Sequence, residues 1–385
     1  MEYKALKDIA KITMGQSPDS SSYNEEKNGL PFFQGNADFG ELYPNVRVWC
    51  NEPKKVAESG DILISVRAPI GALNYAKDKC CIGRGLAAIT IEDEAERNYV
   101  FHLLKARNND LNLKGTGSTF KAIGKNVLEE VAVPQISRDE QQKCMDMMDL
   151  LESVIREKKS QIDKLDELIK ARFVEMFGDP VENPKGYRVD PLQALIDAGD
   201  ITYHMDGNHG GDYPRSEEFV SEGVPYIGAN CISNGEIDFS LAKYLTEERA
   251  GKLRKGIAQN EDVLFAHNAT VGPTVVLHTT ESKVILSTSL TAYRCNKASI
   301  MPEYLATYMK SDGFIMQYSS EMKQTTRNQV PITAQKKYLF LIPPMVEQQA
   351  FAEFVKQVDK SKVVVQKSLD ETQKLFDSLM QEYFG

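Results

Sequence analysis

The closest approach to catalytic machinery in this sequence is Pro18-Asp19 followed by Glu25-Glu26-Lys27. Two carboxylates and a lysine in that order could converge on Mg²⁺ and hydrolyse a phosphodiester, provided that adjacent strands bring them together. The intervening SSSYN is too short to return a strand, so the stretch reads as a polar loop. His204 and His209 have metal-ligand chemistry, but no second cluster completes a site. Six cysteines, Cys50, Cys80, Cys81, Cys144, Cys231 and Cys295, include no C-x-x-C and read as packing residues of a reducing compartment. LKGTGS at 113–118 lacks the remainder of a phosphate loop, and Asn183-Pro184-Lys185-Gly186 falls short of an amino-methyltransferase motif. The expectation is therefore no catalytic constellation and no metal site.

Binding chemistry is better represented. Residues 97–138 hold seven cations (Arg97, Lys105, Arg107, Lys114, Lys121, Lys125, Arg138) against three acids. Residues 294–337 repeat the ratio, with Arg294, Lys297, Lys310, Lys323, Arg327, Lys336 and Lys337 against three acids. Each stretch is locally basic inside a chain of net charge −9, which as a whole argues mildly against a nucleic-acid partner. The stretches contain GTGSTFKAIGK (115–125) and KQTTRNQVP (323–331), whose hydroxyls, amides and cations suit loops that clamp phosphates: Ser118, Thr119, Lys121 and Lys125 in one, Thr326, Arg327 and Asn328 in the other. Arginine pairs with guanine and Asn or Gln with adenine. Candidates for such direct reading are Gln34, Asn36, Arg67 and Arg84, then Asn230, His267 and Asn268. For each, a turn or capping role is the competing reading, most plainly for Asn36 and Asn230. The polar loop GQSPDSSSYN (15–24) is a further candidate contact.

These residues recur because the chain is a tandem duplication. EMFG ending at Gly178 returns as EYFG ending at Gly385, and EQQ at 140–142 returns at 347–349, both 207 residues later. Upstream, GLPFFQGN (29–36) matches GVPYIGAN (223–230), GDILISVRAPIG (60–71) matches EDVLFAHNATVG (261–272), and RNYVFHLL (97–104) matches PEYLATYM (302–309). The order is kept and only loop lengths drift. Each copy opens with short apolar runs broken by Gly, Pro and Asn, which predict strands, and with helical stretches at 98–106 and 303–310. Each closes with a segment free of Gly and Pro, 140–177 and 347–384, which predicts one long helix. Leu151, Ile155, Ile162, Leu165 and Ile169, with Lys158 filling the missing slot, and Val358, Val365, Leu369, Phe376 and Leu379 follow coiled-coil spacing. A lone helix of that length buries its seam poorly, so each is expected against the other. The predicted boundaries are a globular domain at 1–135, a helix at 136–178, a Pro/Gly linker at 179–186, a second domain at 187–345 and a second helix at 346–385.

The composition, 42% hydrophobic and 26% charged over 385 residues, is that of a soluble globular protein of two or three domains. No run of about 18 apolar residues occurs, and MEYKALKDIAK lacks the apolar core of a signal peptide. A cytoplasmic location and no membrane partner are expected.

The opening KITMGQSP…GLPFFQGNADFG, the GDILISV strand, the GSTFKAIGK…VAVPQI exit, the EQQ-led helices and the duplication together resemble the DNA-specificity (S) subunit of type I restriction–modification systems, over essentially the whole length. The resemblance implies an α/β (α+β) fold of two target-recognition domains, separated by two long helices packed as an antiparallel coiled coil in a pseudo-two-fold, circular arrangement. Each domain would read one half of a bipartite site in double-stranded DNA, with helix length setting the spacer. Two methylation (M) subunits would dock on the chain, and restriction (R) subunits through them. S-adenosylmethionine, ATP and Mg²⁺ are expected on those partners and none on this chain, which is expected not to be an enzyme. EDVLFAHNATVG departs from the usual Gly-Asp opening of its strand. The alternatives are a self-contained site-specific DNA methyltransferase or endonuclease, and a structural coiled-coil protein.

Overall fold

A computed structural model describes residues 2–117, 121–322 and 328–384. The chain divides into two compact units, Met1–Lys159 with Gln366–Gly385, and Ser160–Val365. Each unit thus contains one globular copy and half of each long helix, whereas the sequence divided the chain where the helices begin. The difference has a physical cause: the helix halves share one hydrophobic core with the globule beside them. In the second unit, Phe173, Phe177, Phe351 and Val355 of the helices belong to the same buried cluster as Tyr304 and Phe340.

Both units contain the same pair of sheets. In the first, an antiparallel four-stranded sheet has the order Lys11–Met14, Leu86–Thr90, Ile62–Ser65, Leu73–Tyr75. A five-stranded sheet has the order Tyr23–Asn24, Val48–Cys50, Leu30–Phe33, Cys80–Ile82, Val56–Ala57, with its one parallel pairing between Leu30–Phe33 and Cys80–Ile82. The second unit repeats these as Ile201–Asp206, Leu290–Cys295, Val263–Asn268, Thr270–Val276, and as Phe219–Val220, Lys243–Leu245, Val224–Ile227, Val284–Leu286, Ile257–Ala258. It adds a small hairpin, Ile232–Ser233 with Glu236–Ile237. The mixed helix and strand content and the duplication agree with the sequence.

Strand periodicity assigns each residue to a layer. In Val263–Asn268, Leu264 and Ala266 enter the core between the two sheets with Ile227, Val284 and Leu286. Val263 and Phe265 point the other way, into the cluster with Tyr304, Phe314 and the long-helix phenylalanines. A fully apolar run is what burial on both faces requires. In the first unit Leu63, Leu86 and Ala88 likewise meet Phe33, Ala57 and Ile82 between the sheets.

The long helices are Arg138–Phe177 and Met345–Phe384, 40 residues each. Ser137 and Glu140 form a capping box at the start of the first: the Ser137 N–H donates to Glu140 Oε2 at 2.9 Å, and the Glu140 N–H to Ser137 Oγ at 3.3 Å. It stops at Gly178, where φ is +78° and a Cβ would lie 2.4 Å from Pro184 Cγ. Within each unit the halves run antiparallel. Lys158 donates to Ser368 Oγ at 2.8 Å in the first. In the second Lys362 pairs with Asp166, and Phe173 packs on Phe351. All ten seam residues named from the sequence are buried or half-buried.

The recurrent phenylalanines explain the matching ends of the helices. Phe177 and Phe384 are both fully buried. Phe177 packs against Tyr304 at 4.9 Å between ring centroids in the second unit, and Phe384 against Tyr99 at 5.2 Å in the first. Tyr99 and Tyr304 occupy the same place in the matched stretches 97–104 and 302–309. The end of each long helix therefore docks on the same tyrosine of the duplicated fold, and Arg107 Nε–H secures the second end by donating to the Phe384 carbonyl at 3.0 Å.

Candidate nucleic-acid interface

In the first unit the ends of several strands meet in one rim, held by backbone hydrogen bonds. Gly15 N donates to Leu86 O (2.9 Å), Gln16 N to Ile82 O (3.0 Å), and Gly83 N to Phe33 O (2.8 Å). Val66 N donates to Gly85 O (2.9 Å), Ile123 N to Val66 O (3.0 Å), and Ala68 N to Lys121 O (3.1 Å). The second unit repeats all six. Gly207 N donates to Leu290 O (3.0 Å), Asn208 N to Leu286 O (3.1 Å), and Ser287 N to Ile227 O (2.8 Å). His267 N donates to Ser289 O (3.0 Å), Val330 N to His267 O (2.8 Å), and Ala269 N to Asn328 O (2.9 Å).

The rim brings together candidates far apart in sequence. Gln34, Arg67, Arg84 and Lys121 are all exposed on it. Ser17, from the polar loop, joins two of them: Gln34 Nε2 donates to Ser17 Oγ at 3.0 Å, and the Arg84 backbone N–H donates to the same oxygen at 3.3 Å. Ser17 was the member of that loop worth singling out, and only the pairing reveals it. Elsewhere in the loop Ser22 is buried and Tyr23 O–H donates to Pro18 O, while Gln16, Asp19, Ser20 and Ser21 are exposed. In the second unit Asn268 and Asn328 take the places of Arg67 and Lys121. Asn36 and Asn230 each sit in a 3₁₀ turn, Asn36–Asp38 and Ala229–Cys231, as their turn-like neighbours indicated.

His267 is a correction. It is 2% exposed, with Nδ1 2.9 Å from Val330 O, and burial lowers its pKa. Its partner in the repeat is Val66, an interior position, so strand alternation turns the imidazole inward and presents Asn268 at the rim. His204, 3.1 Å from Gln335 Oε1, is pushed down to about 4 by burial. Gln335 is fully buried and also accepts from Tyr293 O–H at 2.6 Å while donating to Thr291 Oγ1 and Val330 O. This network fixes the segment that carries Asn328 and Gln329 beside Asn268.

The basic stretches also require correction. Five cations of 97–138 are engaged elsewhere: Arg97 lies near Glu94, Lys105 pairs with Glu152, Lys125 with Glu129, Arg138 with Asp93, and Arg107 holds Phe384. Lys114 and Lys121 remain exposed without an ion pair among the described residues. In the second stretch Arg294 pairs with the buried Asp262 and Lys297 with Glu261. Counting charges along a sequence overstates the phosphate-facing surface because ion pairs form across elements. The candidates Ser118, Thr119, Thr326 and Arg327 lie outside the described residues.

Asp19 is ion-paired with Lys54 at 3.1 Å. Among the described residues no group of three or more His, Cys, Asp or Glu side chains could hold a metal, and no helix is long and apolar enough to cross a membrane. All six cysteines are free thiols, and burial raises Cys80, Cys81 and Cys144 to about 12.

The family model for the type I restriction modification DNA specificity domain matches residues 1–167 and 199–372, one match to each copy. The chain belongs to this family. Among curated relatives, the putative type I restriction enzyme MjaX specificity subunit of Methanocaldococcus jannaschii is 47% identical over 158 residues, 40% of this chain and 37% of the relative. The MjaIX specificity subunit of the same organism is 26% identical over 261 residues, 61% of this chain and 58% of the relative. The chain thus spans less than two thirds of either. The family fold is seen in the solved type I restriction–modification S subunit from M. genitalium, 15% identical with a TM-score of 0.57, covering 100% of this chain and 96% of that one. A chain from a structural study of complex assembly and conformational transition in the type I R-M system gives 18% identity and a TM-score of 0.56, covering 100% and 97%.

Proposed function

We propose that this chain is the sequence-reading subunit of a type I restriction–modification enzyme, and that each unit reads one half of a split site in double-stranded DNA. The observation that carries the reading is the duplicated rim: one backbone frame, built by the same six hydrogen bonds in each unit, from which different polar side chains project. A reader of two unlike half-sites needs a constant scaffold with variable reading groups. The long helices set the interval between the halves.

The chain is not itself the catalyst in this reading. Methylation subunits dock on it and restriction subunits dock through them, and S-adenosylmethionine, ATP and Mg²⁺ belong to those partners. Leu168 and Leu375 support docking on the helices. They are identical in the two copies, yet both remain exposed at 47% and 49%. An apolar residue repeated on the outer face of each helix suits two equivalent partner subunits. The compartment is the cytoplasm, where the DNA is.

The test is selection of bound duplexes from a random library by the purified chain, followed by incubation of the chain with its selected DNA, Mg²⁺ and S-adenosylmethionine. Two short words at a fixed interval, left unmodified, are expected. Cleavage or methylation by the chain alone would establish the self-contained enzyme instead. Binding without sequence preference would leave a structural coiled-coil protein.

A further inference from the structure

The rims of the two units share a backbone but differ in the kind of group they display. At matched positions the first unit carries Gln34, Arg84, Arg67 and Lys121, and the second carries Gly228, Thr288, Asn268 and Asn328. One rim offers two guanidinium forks, an ammonium and an amide; the other offers two amides and a hydroxyl. The difference is confined to the projecting groups, since the hydrogen bonds beneath them are the same.

Arg84 is seated with unusual firmness for an exposed arginine. It stands between Gly83 and Gly85, both buried. A Cβ on Gly83 would lie 2.6 Å from Gln34 Oε1 and 3.0 Å from Gln34 Cα, and one on Gly85 would lie 2.5 Å from Gln34 O. The glycines therefore let the backbone under Arg84 close against the end of strand Leu30–Phe33. Ser17 Oγ then accepts from the Arg84 amide while holding the Gln34 side chain. Arg67 is fixed differently, between Val66, bonded to Gly85, and Ala68, bonded to Lys121. Neither arginine has an ion-pair partner among the described residues. A fixed base under a free guanidinium matches the geometric demand of a bidentate contact to a base edge. A phosphate also accepts a guanidinium fork, but it is bound equally by the point charge of a lysine such as Lys121, whereas the paired acceptors of a base edge need the fork held in register.

Resting on the reading of the chain as a DNA-sequence reader, we propose that Arg84 and Arg67 make guanine a requirement of the half-site taken by the first unit. The second unit, with Thr288 and Asn268 at those places, imposes no guanine there and selects adenine through Asn268. The chemistry is that of the base edges: a guanidinium fork spans O6 and N7 of guanine, a carboxamide spans N6 and N7 of adenine, and a hydroxyl bonds either.

The experiment is selection from a random duplex library by the wild-type chain and by Arg84→Gln, Arg67→Gln and Asn268→Ala, with the bound DNA sequenced and affinities measured for the wild-type word. Arg84→Gln is expected to lose a guanine preference in one half-site and about tenfold in affinity. The other half-site and the interval stay unchanged, and that untouched half reports that the variant is folded. Asn268→Ala is expected to lose an adenine preference in the opposite half-site. Variants that select the same bases with uniformly weaker binding would assign the arginines to phosphate and overturn the inference. So would an adenine loss in the half that responds to Arg84. A wild-type chain that enriches no split word removes the DNA-reading function itself, a result distinct from either.

Discussion

Lys121 and Lys125, four residues apart, have unequal prospects as phosphate ligands. Lys125 Nζ lies 2.9 Å from Glu129, whereas Lys121 stands exposed on the rim. Lys121→Ala is expected to weaken binding to all sequences about equally and to reduce the salt slope by about one, and Lys125→Ala to do much less. Titration of affinity against salt for both variants checks this. The buried histidines make a separate prediction. The folded-state pKa of His204 is about 4, below the ordinary 6.5, and those of His267 and His102 are also lowered by burial. Above pH 6.5 both folded and unfolded states are neutral at these sites and contribute no pH dependence. Between pH 6.5 and 4 the unfolded chain binds more protons at His204, so stability falls as pH falls, by up to about 1.4 kcal/mol per pH unit from that residue, and His267 and His102 act in the same direction. Urea midpoints across that range are expected to drop, and less steeply in His204→Asn.

At the scale of elements, the docking of each helix end on a tyrosine of the duplicated fold gives the terminal phenylalanines unusual leverage. Phe177→Ala is expected to destabilise the second unit and Phe384→Ala the first, each by about 3–5 kcal/mol, because each empties a fully buried site. Hydrogen exchange followed unit by unit separates the two effects. Loss of protection in the wrong unit would refute the assignment of each helix end. The seam itself is less apolar than a coiled coil of its length. Lys158 bonds Ser368, and Lys362 sits between Asp166 and Asp359. Such polar pairs fix register at some cost in stability.

For the whole molecule, the proposed role of the helices has a metric consequence. One heptad adds about 10.5 Å at 1.5 Å per residue, close to three base pairs at 3.4 Å each. Inserting seven residues into both helices, between Leu151 and Met176 and at the matched place in the second, is expected to lengthen the preferred interval by about that amount and leave both words intact. Library selection reads both quantities at once. Altered words with a constant interval would show that the helices do not set the spacing.

What the sequence determined by itself was whatever depends on local pattern. The duplication, the two long helices, their seam residues and the strand runs were all legible, because periodicity in a chain directly reports which side faces a core. The rim candidates Gln34, Arg67 and Arg84 were legible as residue types only. Their meeting with Ser17 and Lys121 depends on strand ends brought together from positions 17, 34, 67, 84 and 121, and no local pattern encodes that. The tertiary structure alone decided that His267 faces inward, that Lys105, Arg138, Arg294 and Lys297 of the basic stretches are paired with acids outside those stretches, and that each helix is divided between two cores. Those outcomes turn on pairings across the chain, where a carboxylate, a carbonyl or a facing ring contributed from a distant element determines what each side chain is free to do.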